Sequence, residues 1–142
     1  MHLKAVILEN FRSYEKQTII PIDNLTAFIG RNDAGKSSVL DALDIFFEND
    51  TTKIESGDAS INGDNKNVRI GAIFTDFPDR LGLDSTADTT LQAEFLLNDN
   101  RDFEVVKVFN CSIGKPNFKV FSRCIHPTAE GSGNLLQLKN AD

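Results

Sequence analysis

Cysteine and histidine are scarce in this chain, which has two of each among its 142 residues. Cys111 and Cys124 form no C-x-x-C pair, and His2 and His126 are far apart in the sequence. A zinc site needs closely spaced ligands of these types, so the sequence favours no metal centre built on them, and we interpret one or both histidines as surface residues. An even number of cysteines allows one disulfide. Because no feature indicates export, we expect two free, buried thiols instead.

Long apolar runs are also missing. None approaches the roughly 20 residues that a helix needs to span a bilayer. The N-terminal stretch "MHLKAVILENFRSY" contains no small-residue cleavage site, so we interpret it as a strand rather than a signal peptide. With 40% apolar and 25% charged residues, the chain has the composition of one globular domain. We expect it in the cytoplasm, without a membrane partner.

Positive charge is in deficit, since the net charge is −6. A surface that neutralises nucleic-acid phosphates needs clustered Lys and Arg, so the chain as a whole is not expected to be such a surface. One stretch, 107–123, has no acidic residue and mixes basic with aromatic side chains: Lys107, Phe109, Lys115, Phe118, Lys119, Phe121 and Arg123. This pattern is typical of nucleic-acid contact, but alternating strands also place phenylalanine in a core and lysine in solvent. Both interpretations remain open.

Apolar patterning predicts a mixed α/β order of elements. Strands are expected at 3–8, 17–22, 25–30 and 68–74, where 25–30 is a continuous apolar run typical of a buried strand and Pro21 suggests an edge. A polar, acidic stretch at 49–67 is expected to be a mobile loop. An antiparallel β meander is expected over 89–125, with its strands at 89–97, 103–109 and 117–125.

A helix is predicted from Lys36 to Glu48. The apolar residues in it recur at helical spacing and form one stripe: Val39, Leu40, Leu43, Phe46 and Phe47. This helix directly follows the segment "GRNDAGKSS", which spans residues 30–38.

That segment fits the phosphate-binding pattern G-x-x-x-x-G-K-[ST] at every fixed position, and it lies between a predicted strand and a predicted helix. Glycine lets the backbone bend sharply around a phosphate chain, and the helix start directs N–H groups and partial positive charge to the same place. The candidate nucleotide-binding residues are Gly30, Asn32, Asp33, Ala34, Gly35, Lys36, Ser37 and Ser38.

Individual roles follow from the motif. Lys36 can reach the β- and γ-phosphates, and the Ser37 hydroxyl can bind Mg²⁺. Ser38 can contact a phosphate nearer the sugar, and Asn32 can face the γ-phosphate. GTP is disfavoured because "NKN" at 65–67 is followed by Val68 instead of the Asp of N-K-x-D. The predicted cofactors are ATP and Mg²⁺.

The acid that hydrolysis requires is not evident. No apolar run downstream of Ser37 ends cleanly in Asp-Glu, and Glu9, at the end of "AVILE", precedes the loop and is better interpreted as a solvated strand end. No LSGG-like signature is present, and "EGSGN" at 130–134 is only weakly similar to it. We therefore expect part of a larger ATPase, or a subunit that another chain completes, with negligible turnover by the isolated chain.

Residues 3–47, about a third of the chain, resemble the N-terminal segment of ABC-type ATPases that work on DNA, including RecF, the structural maintenance of chromosomes proteins and the OLD (overcoming lysogenization defect) endonucleases. The shared features are a strand, "NFRSY", a second strand and the phosphate loop. "GRNDAGKSS" is closest to the OLD group, and Asp33-Ala34 departs from the chromosome proteins.

The resemblance implies the N-terminal lobe of an ABC-type head, α/β with a parallel-containing core sheet and an antiparallel β-subdomain. It implies two heads that sandwich ATP, as a homodimer or with a partner ATPase subunit, and act on DNA in repair or anti-phage defence. An OLD nuclease would lie outside these residues.

Arg12 matches a position where these proteins place a basic residue near the nucleotide; otherwise it is a surface turn arginine. A second function remains open, a nucleotide sensor that gates a partner without hydrolysis.

Overall fold

The computed structural model describes residues 1–30, 35–78, 80–82 and 88–125. Within them the chain forms seven strands, one α-helix and one 3₁₀ turn. In chain order these are β1 (His2–Glu9), β2 (Thr18–Pro21), α1 (Lys36–Phe46), the 3₁₀ turn (Ser56–Asp58), β3 (Val68–Thr75), β4 (Leu81–Gly82), β5 (Asp88–Thr89), β6 (Phe103–Asn110) and β7 (Asn117–Arg123).

Five strands form one sheet in the order β2-β1-β3-β6-β7, and every neighbouring pair is antiparallel. Val6 of β1 pairs with Ala72 of β3, which in turn pairs with Val105 of β6. The predictions of strands at 3–8, 17–22, 68–74, 103–109 and 117–125 are confirmed within one or two residues. Pro21 ends the edge strand β2, where its missing N–H removes no ladder bond from the sheet interior.

One face of this sheet packs against α1. Alternate strand residues point towards the helix, since successive side chains in a strand point to opposite faces. The core contains Val6, Leu8, Phe11, Val39, Ala42, Ile45, Phe46, Val68, Ile70, Ala72, Phe74, Phe109 and Cys111. Burial of this set holds α1, and with it the segment at its N-terminus, on the sheet.

The predicted stripe of α1 is partly wrong. Val39 and Phe46 are buried as expected, but the other helix residues in the core are Ala42 and Ile45, whereas Leu40 is 59% exposed. Val39 lies at one edge of the buried side of the helix, and Leu40, about 100° further around the helix axis, falls beyond that edge. The helix ends at Phe46, two residues before the predicted end.

The buried strand predicted at 25–30 is wrong. This segment is not a strand, and Leu25 and Ile29 are 92% and 94% exposed. Apolar composition favours burial only where a neighbouring strand is available to pair with, and the described residues supply none. All pairings in them are antiparallel, so the expected parallel-containing core sheet is absent from this part of the chain.

The predicted meander is confirmed for β6 and β7 and wrong for its first strand. The segment 90–96 is folded into turns in which Glu94 N–H donates to Thr90 O at 3.1 Å and Leu96 N–H donates to Leu91 O at 2.9 Å. Backbone groups that bond locally in this way are not available for a sheet ladder. Only Asp88–Thr89 is strand, paired with β4 in a separate two-stranded sheet.

Both cysteines are free, as expected; Cys111 is buried, but Cys124 is only partly so. His2 is an exposed residue beside Asp76, at 3.1 Å, and His126 lies outside the described residues. Over the described ranges, no helix has the length and apolar character needed to cross a membrane.

Candidate nucleotide-binding loop

The N-terminus of α1 begins at Gly35, whose backbone is left-handed at φ 80° and ψ 8°. Glycine adopts this conformation without the steric cost that a Cβ brings. No side chain caps the helix, and its first turn has no acidic residue. The second glycine of the predicted motif therefore turns the chain into the helix and leaves a helix start that favours an anion.

The lysine of the motif lies against its first glycine. Lys36 Nζ donates a hydrogen bond to the Gly30 carbonyl oxygen, so the two ends of the predicted loop are close together. Ser37 is exposed at the first turn and Ser38 is buried. Exposure of Ser37 agrees with its predicted role as a Mg²⁺ ligand, while burial of Ser38 leaves less room for its predicted phosphate contact. Asn32, Asp33 and Ala34 lie outside the described residues.

A tight turn from the "NFRSY" segment packs against Gly35. Phe11 N–H donates to Tyr14 O at 3.1 Å and Tyr14 N–H donates to Phe11 O at 2.9 Å, which closes the turn. Tyr14 Oη donates to the Gly35 carbonyl oxygen at 3.3 Å. A Cβ on Gly35 would lie 3.0 Å from both Tyr14 Oη and Ser13 Oγ. The sequence did not single out Ser13 or Tyr14; its only signal for them was their place in "NFRSY".

Arg12 joins this turn to two other elements. Its Nη1 donates to Asp41 on α1, and its Nε donates to Oδ1 of Asp58 in the 3₁₀ turn at 2.8 Å. Burial lowers the pKa of Arg12, but the hydrogen bonds and charges of Asp41 and Asp58 outweigh it and raise the pKa above its usual value. Arg12 lies in a turn, as the alternative interpretation expects, and its side chain is 29% exposed and joins three segments. Its predicted contact with nucleotide stays a prediction.

The polar segment 49–67 is bonded to the same turn. Arg12 N–H donates to Asp58 O at 2.7 Å, and the Ser60 hydroxyl donates to Arg12 O at 2.8 Å. The 3₁₀ turn starts with a reciprocal pair of bonds between Glu55 and Asp58. The mobility predicted for 49–67 stays a prediction, but this middle part is anchored at several points.

Asp58 also acts on Cys111. Burial, followed by the nearby Asp58 carboxylate, raises the pKa of the Cys111 thiol to about 11. Both causes disfavour the thiolate, so this cysteine is protonated and a poor nucleophile near neutral pH.

The basic stretch 107–123 is divided between the two faces of the sheet. Lys107 pairs in register with Val120, whereas Lys119 pairs with Val108, which points to the opposite face. Lys107 is buried; its Nζ lies 2.5 Å from Glu48 Oε1 and 4.5 Å from the centroid of the Phe118 ring. The stretch is thus no continuous basic surface, and the predicted solvent exposure of Lys107 is wrong.

Glu9 ends β1 as predicted, and its Oε2 lies 3.4 Å from Nη1 of Arg69. No group of three or more His, Cys, Asp or Glu side chains in the described part of the chain is arranged to hold a metal ion. The segment 130–134, which is weakly similar to the signature motif, lies outside the described residues.

Comparison with known proteins identifies the family. Residues 1–142 match the family described as the AAA ATPase domain. The chain belongs to this family. The match covers the whole predicted phosphate loop and the turn that packs against it, and it makes the chain part of a P-loop ATPase domain.

Curated relatives are more distant. The chain is 44% identical over 43 residues to the DNA replication and repair protein RecF of Lactococcus lactis, an alignment of 30% of this chain and 12% of that protein. It is 41% identical over 54 residues to the mouse structural maintenance of chromosomes protein 1B, an alignment of 37% of this chain and 4% of that protein. It is 26% identical over 137 residues to the human structural maintenance of chromosomes protein 2, an alignment of 80% of this chain and 11% of that protein.

The predicted resemblance to RecF and the chromosome proteins is therefore confirmed. The chain spans only 4% to 12% of the length of these relatives.

Proposed function

We propose that this chain is the ATP- and Mg²⁺-binding part of an ATPase that acts on DNA. The observation that carries the proposal is the arrangement at the start of α1. There the left-handed Gly35 opens the helix, and Lys36 lies on Gly30 at the other end of a G-x-x-x-x-G-K-S sequence.

The chemistry of this arrangement suits a triphosphate. Amide groups at a helix start converge on an anion, and the helix dipole favours negative charge there. When nucleotide binds, the Lys36 ammonium would leave the Gly30 carbonyl and contact phosphate oxygens instead. The exposed Ser37 hydroxyl follows directly in the sequence, where Mg²⁺ would bridge it to the β- and γ-phosphates.

DNA is proposed as the substrate of the complete assembly. Support comes from the relatives, named for DNA replication and repair and for the maintenance of chromosomes. The net charge of −6 and the burial of Lys107 make this segment alone a poor surface for phosphate backbones. The DNA contact is therefore assigned to the assembled protein, in which the rest of a larger ATPase or a partner ATPase subunit supplies the acid and signature motifs.

A finer assignment follows from "GRNDAGKSS", which is closest to the OLD group. On this basis the assembly is an ATP-dependent endonuclease of repair or anti-phage defence, with its nuclease outside these residues. The second candidate function is nucleotide sensing without turnover. An Asp-Glu strand end and a signature motif in the complete protein would favour the ATPase, and their absence there would favour the sensor. Mg²⁺-dependent ATP hydrolysis by the assembled protein separates the two, because a sensor would bind ATP and release it unchanged.

Binding is tested by calorimetry with ATP and Mg²⁺ on the wild-type chain and on Lys36→Ala. We expect the substitution to abolish detectable binding while the circular dichroism spectrum is unchanged. The matched control is Lys53→Ala, which removes the same charge from a side chain that is 78% exposed and paired only loosely with Asp50, at 3.6 Å. Full binding by the Lys36 variant would refute the proposal.

The metal is tested separately. Ser37→Ala should weaken binding in the presence of Mg²⁺ and leave binding in EDTA unchanged, because the hydroxyl contacts the metal and not the phosphate. Equal losses in both conditions would contradict the assignment of Ser37 as the Mg²⁺ ligand.

A further inference from the structure

From the described residues, the Gly35 carbonyl oxygen accepts one hydrogen bond within the helix and one from outside it. Val39 N–H donates to it at 3.3 Å, as the first bond of α1, and Tyr14 Oη donates to it at 3.3 Å from outside. Two donors from different directions restrict the carbonyl more than the helical bond alone would.

The direction of this carbonyl determines the direction of the next amide. The peptide between Gly35 and Lys36 is planar and trans, so the Lys36 N–H points opposite to the Gly35 C=O. The Lys36 amide is the first of the helix, and amides at this place are those that converge on a bound anion. A bond that orients the Gly35 carbonyl therefore also orients an amide of the proposed phosphate site.

Tyr14 is itself held from outside the loop. The turn that carries it is closed by the reciprocal bonds between Phe11 and Tyr14. Its backbone is anchored on the 49–67 segment, through the bonds of Arg12 to Asp58 and Ser60. The ring of Tyr14 packs against the hydrophobic core. The position of the Tyr14 hydroxyl is therefore set by the sheet and the turn, and not by the conformation of the loop.

The contact between the turn and the loop is close. A Cβ on Gly35 would meet Tyr14 Oη at 3.0 Å and Tyr14 Cε2 at 3.1 Å, distances that leave no space between the surfaces. The side chain of Tyr14 therefore both packs against Gly35 and donates the hydrogen bond to its carbonyl oxygen.

We infer that Tyr14 is a positioning residue of the nucleotide site: its hydroxyl orients the Gly35–Lys36 peptide so that the Lys36 amide is directed at phosphate before the nucleotide arrives. This rests on the proposed function. Neither the phosphate-loop motif nor the family comparison assigns a role to Tyr14.

The test is Tyr14→Phe, which removes the hydroxyl and keeps the ring in the core. We expect MgATP to bind about three- to tenfold more weakly, as fits the loss of one neutral hydrogen bond. In ¹H–¹⁵N spectra the Lys36 amide resonance should shift in the variant before any nucleotide is added. The matched control is Ser13→Ala, which removes a hydroxyl from the same turn. This hydroxyl bonds to no backbone group in the part of the loop that the structure describes, so the substitution should leave both readings unchanged.

A measurement on the unmutated sequence adds an independent criterion, because Tyr14 is the only tyrosine in the chain. Incorporation of 3-fluorotyrosine gives one ¹⁹F resonance, which should shift on titration with MgATP with the midpoint found by calorimetry. This resonance should not respond in Lys36→Ala.

The outcomes separate this inference from the proposed function. If the wild-type chain does not bind MgATP, the proposed function fails and the inference falls with it. If the wild-type chain binds and Lys36→Ala does not, the site is established; wild-type affinity in Tyr14→Phe, or a loss of thermal stability without a change in affinity or in the Lys36 amide, then overturns the role of Tyr14 alone.

Discussion

Arg12 and Asp41 form an ion pair between the turn of "NFRSY" and the second turn of α1, and the same guanidinium holds Asp58 at 2.8 Å. The pair fixes the helix that starts with Lys36 to the turn that carries Tyr14. Three segments that are far apart in the sequence, near residues 12, 41 and 58, therefore meet at one side chain next to the proposed nucleotide loop.

Replacement of Asp41 tests how much this junction contributes. Asp41→Asn keeps the shape of the side chain and removes its charge, so we expect a loss of about 0.5–1 kcal/mol in the free energy of unfolding, since both side chains are partly solvated. Urea denaturation measures it. Asp44→Asn is the control, because it removes the same charge from the same helix. Among the described residues Asp44 forms no ion pair, and its Oδ1 accepts a hydrogen bond from Asn49 Nδ2 at 3.2 Å. A loss as large in the control would show that helix charge, not Arg12, is responsible.

Gly35 should tolerate no side chain. Gly35→Ala places a Cβ at a left-handed φ and within 3.0 Å of Ser13 Oγ and Tyr14 Oη, and we expect it to cost about 1–3 kcal/mol in stability. Nucleotide affinity should fall as well, because the loop must move away from the turn. Gly114→Ala is the matched control, since its Cβ would meet nothing within 4 Å. A neutral Gly35→Ala would contradict the close contact between turn and loop.

The buried Lys107 should behave as a structural residue and not as a nucleic-acid contact. Lys107→Ala removes a buried side chain whose ammonium lies over the rings of Phe46 and Phe118, and it should cost about 2–3 kcal/mol. Lys107→Met should cost less than about 1 kcal/mol, because it refills the space and Glu48, once unpaired, remains largely in solvent. Thermal denaturation compares the two variants, and the exposed Lys119→Ala should change stability little. Equal losses in the Ala and Met variants would show that the charge matters more than the packing.

The pH dependence of Cys111 follows from the direction of its shift. Its folded pKa of about 11 lies above the ordinary 9.0, so the stabilisation it provides is complete below the ordinary value and is lost as pH rises through the folded value. In a Cys124→Ser background, Cys111 should resist iodoacetamide at about pH 8 unless the chain is unfolded. Between about pH 8 and pH 10, stability should fall by about 1 kcal/mol more than in the double variant that also carries Cys111→Ala. Rapid labelling of the folded chain would contradict the burial.

Local signals in the sequence predicted much of this structure. The five strands of the main sheet were recognisable because β-branched and aromatic residues fill them, and the start of α1 was recognisable from glycine followed by lysine and an apolar stripe. These features depend on neighbours within a few residues. The family match then confirmed the ATPase class that the spacing of Gly30, Gly35 and Lys36 indicates.

Three features could not be predicted, and each depends on a distant partner. The apolar run that contains Leu25 and Ile29 predicts a buried strand, but burial requires a neighbouring strand, and composition does not show whether one is present. Lys107 read as a solvent lysine, but its register against Val120 places it on the same face as Phe109, under α1. Arg12 gave no sign of its carboxylate partners, which lie 29 and 46 residues further along the chain.

The sequence by itself determined the chemistry of the loop and the pairing tendency of the strands, because backbone preference and residue type act over short distances. Only the tertiary structure decided which side chains surround that chemistry. It brought Tyr14 onto the Gly35 carbonyl and Arg12 between two carboxylates, because the close packing of a sheet against a helix brings together residues whose separation along the chain carries no information about their separation in space.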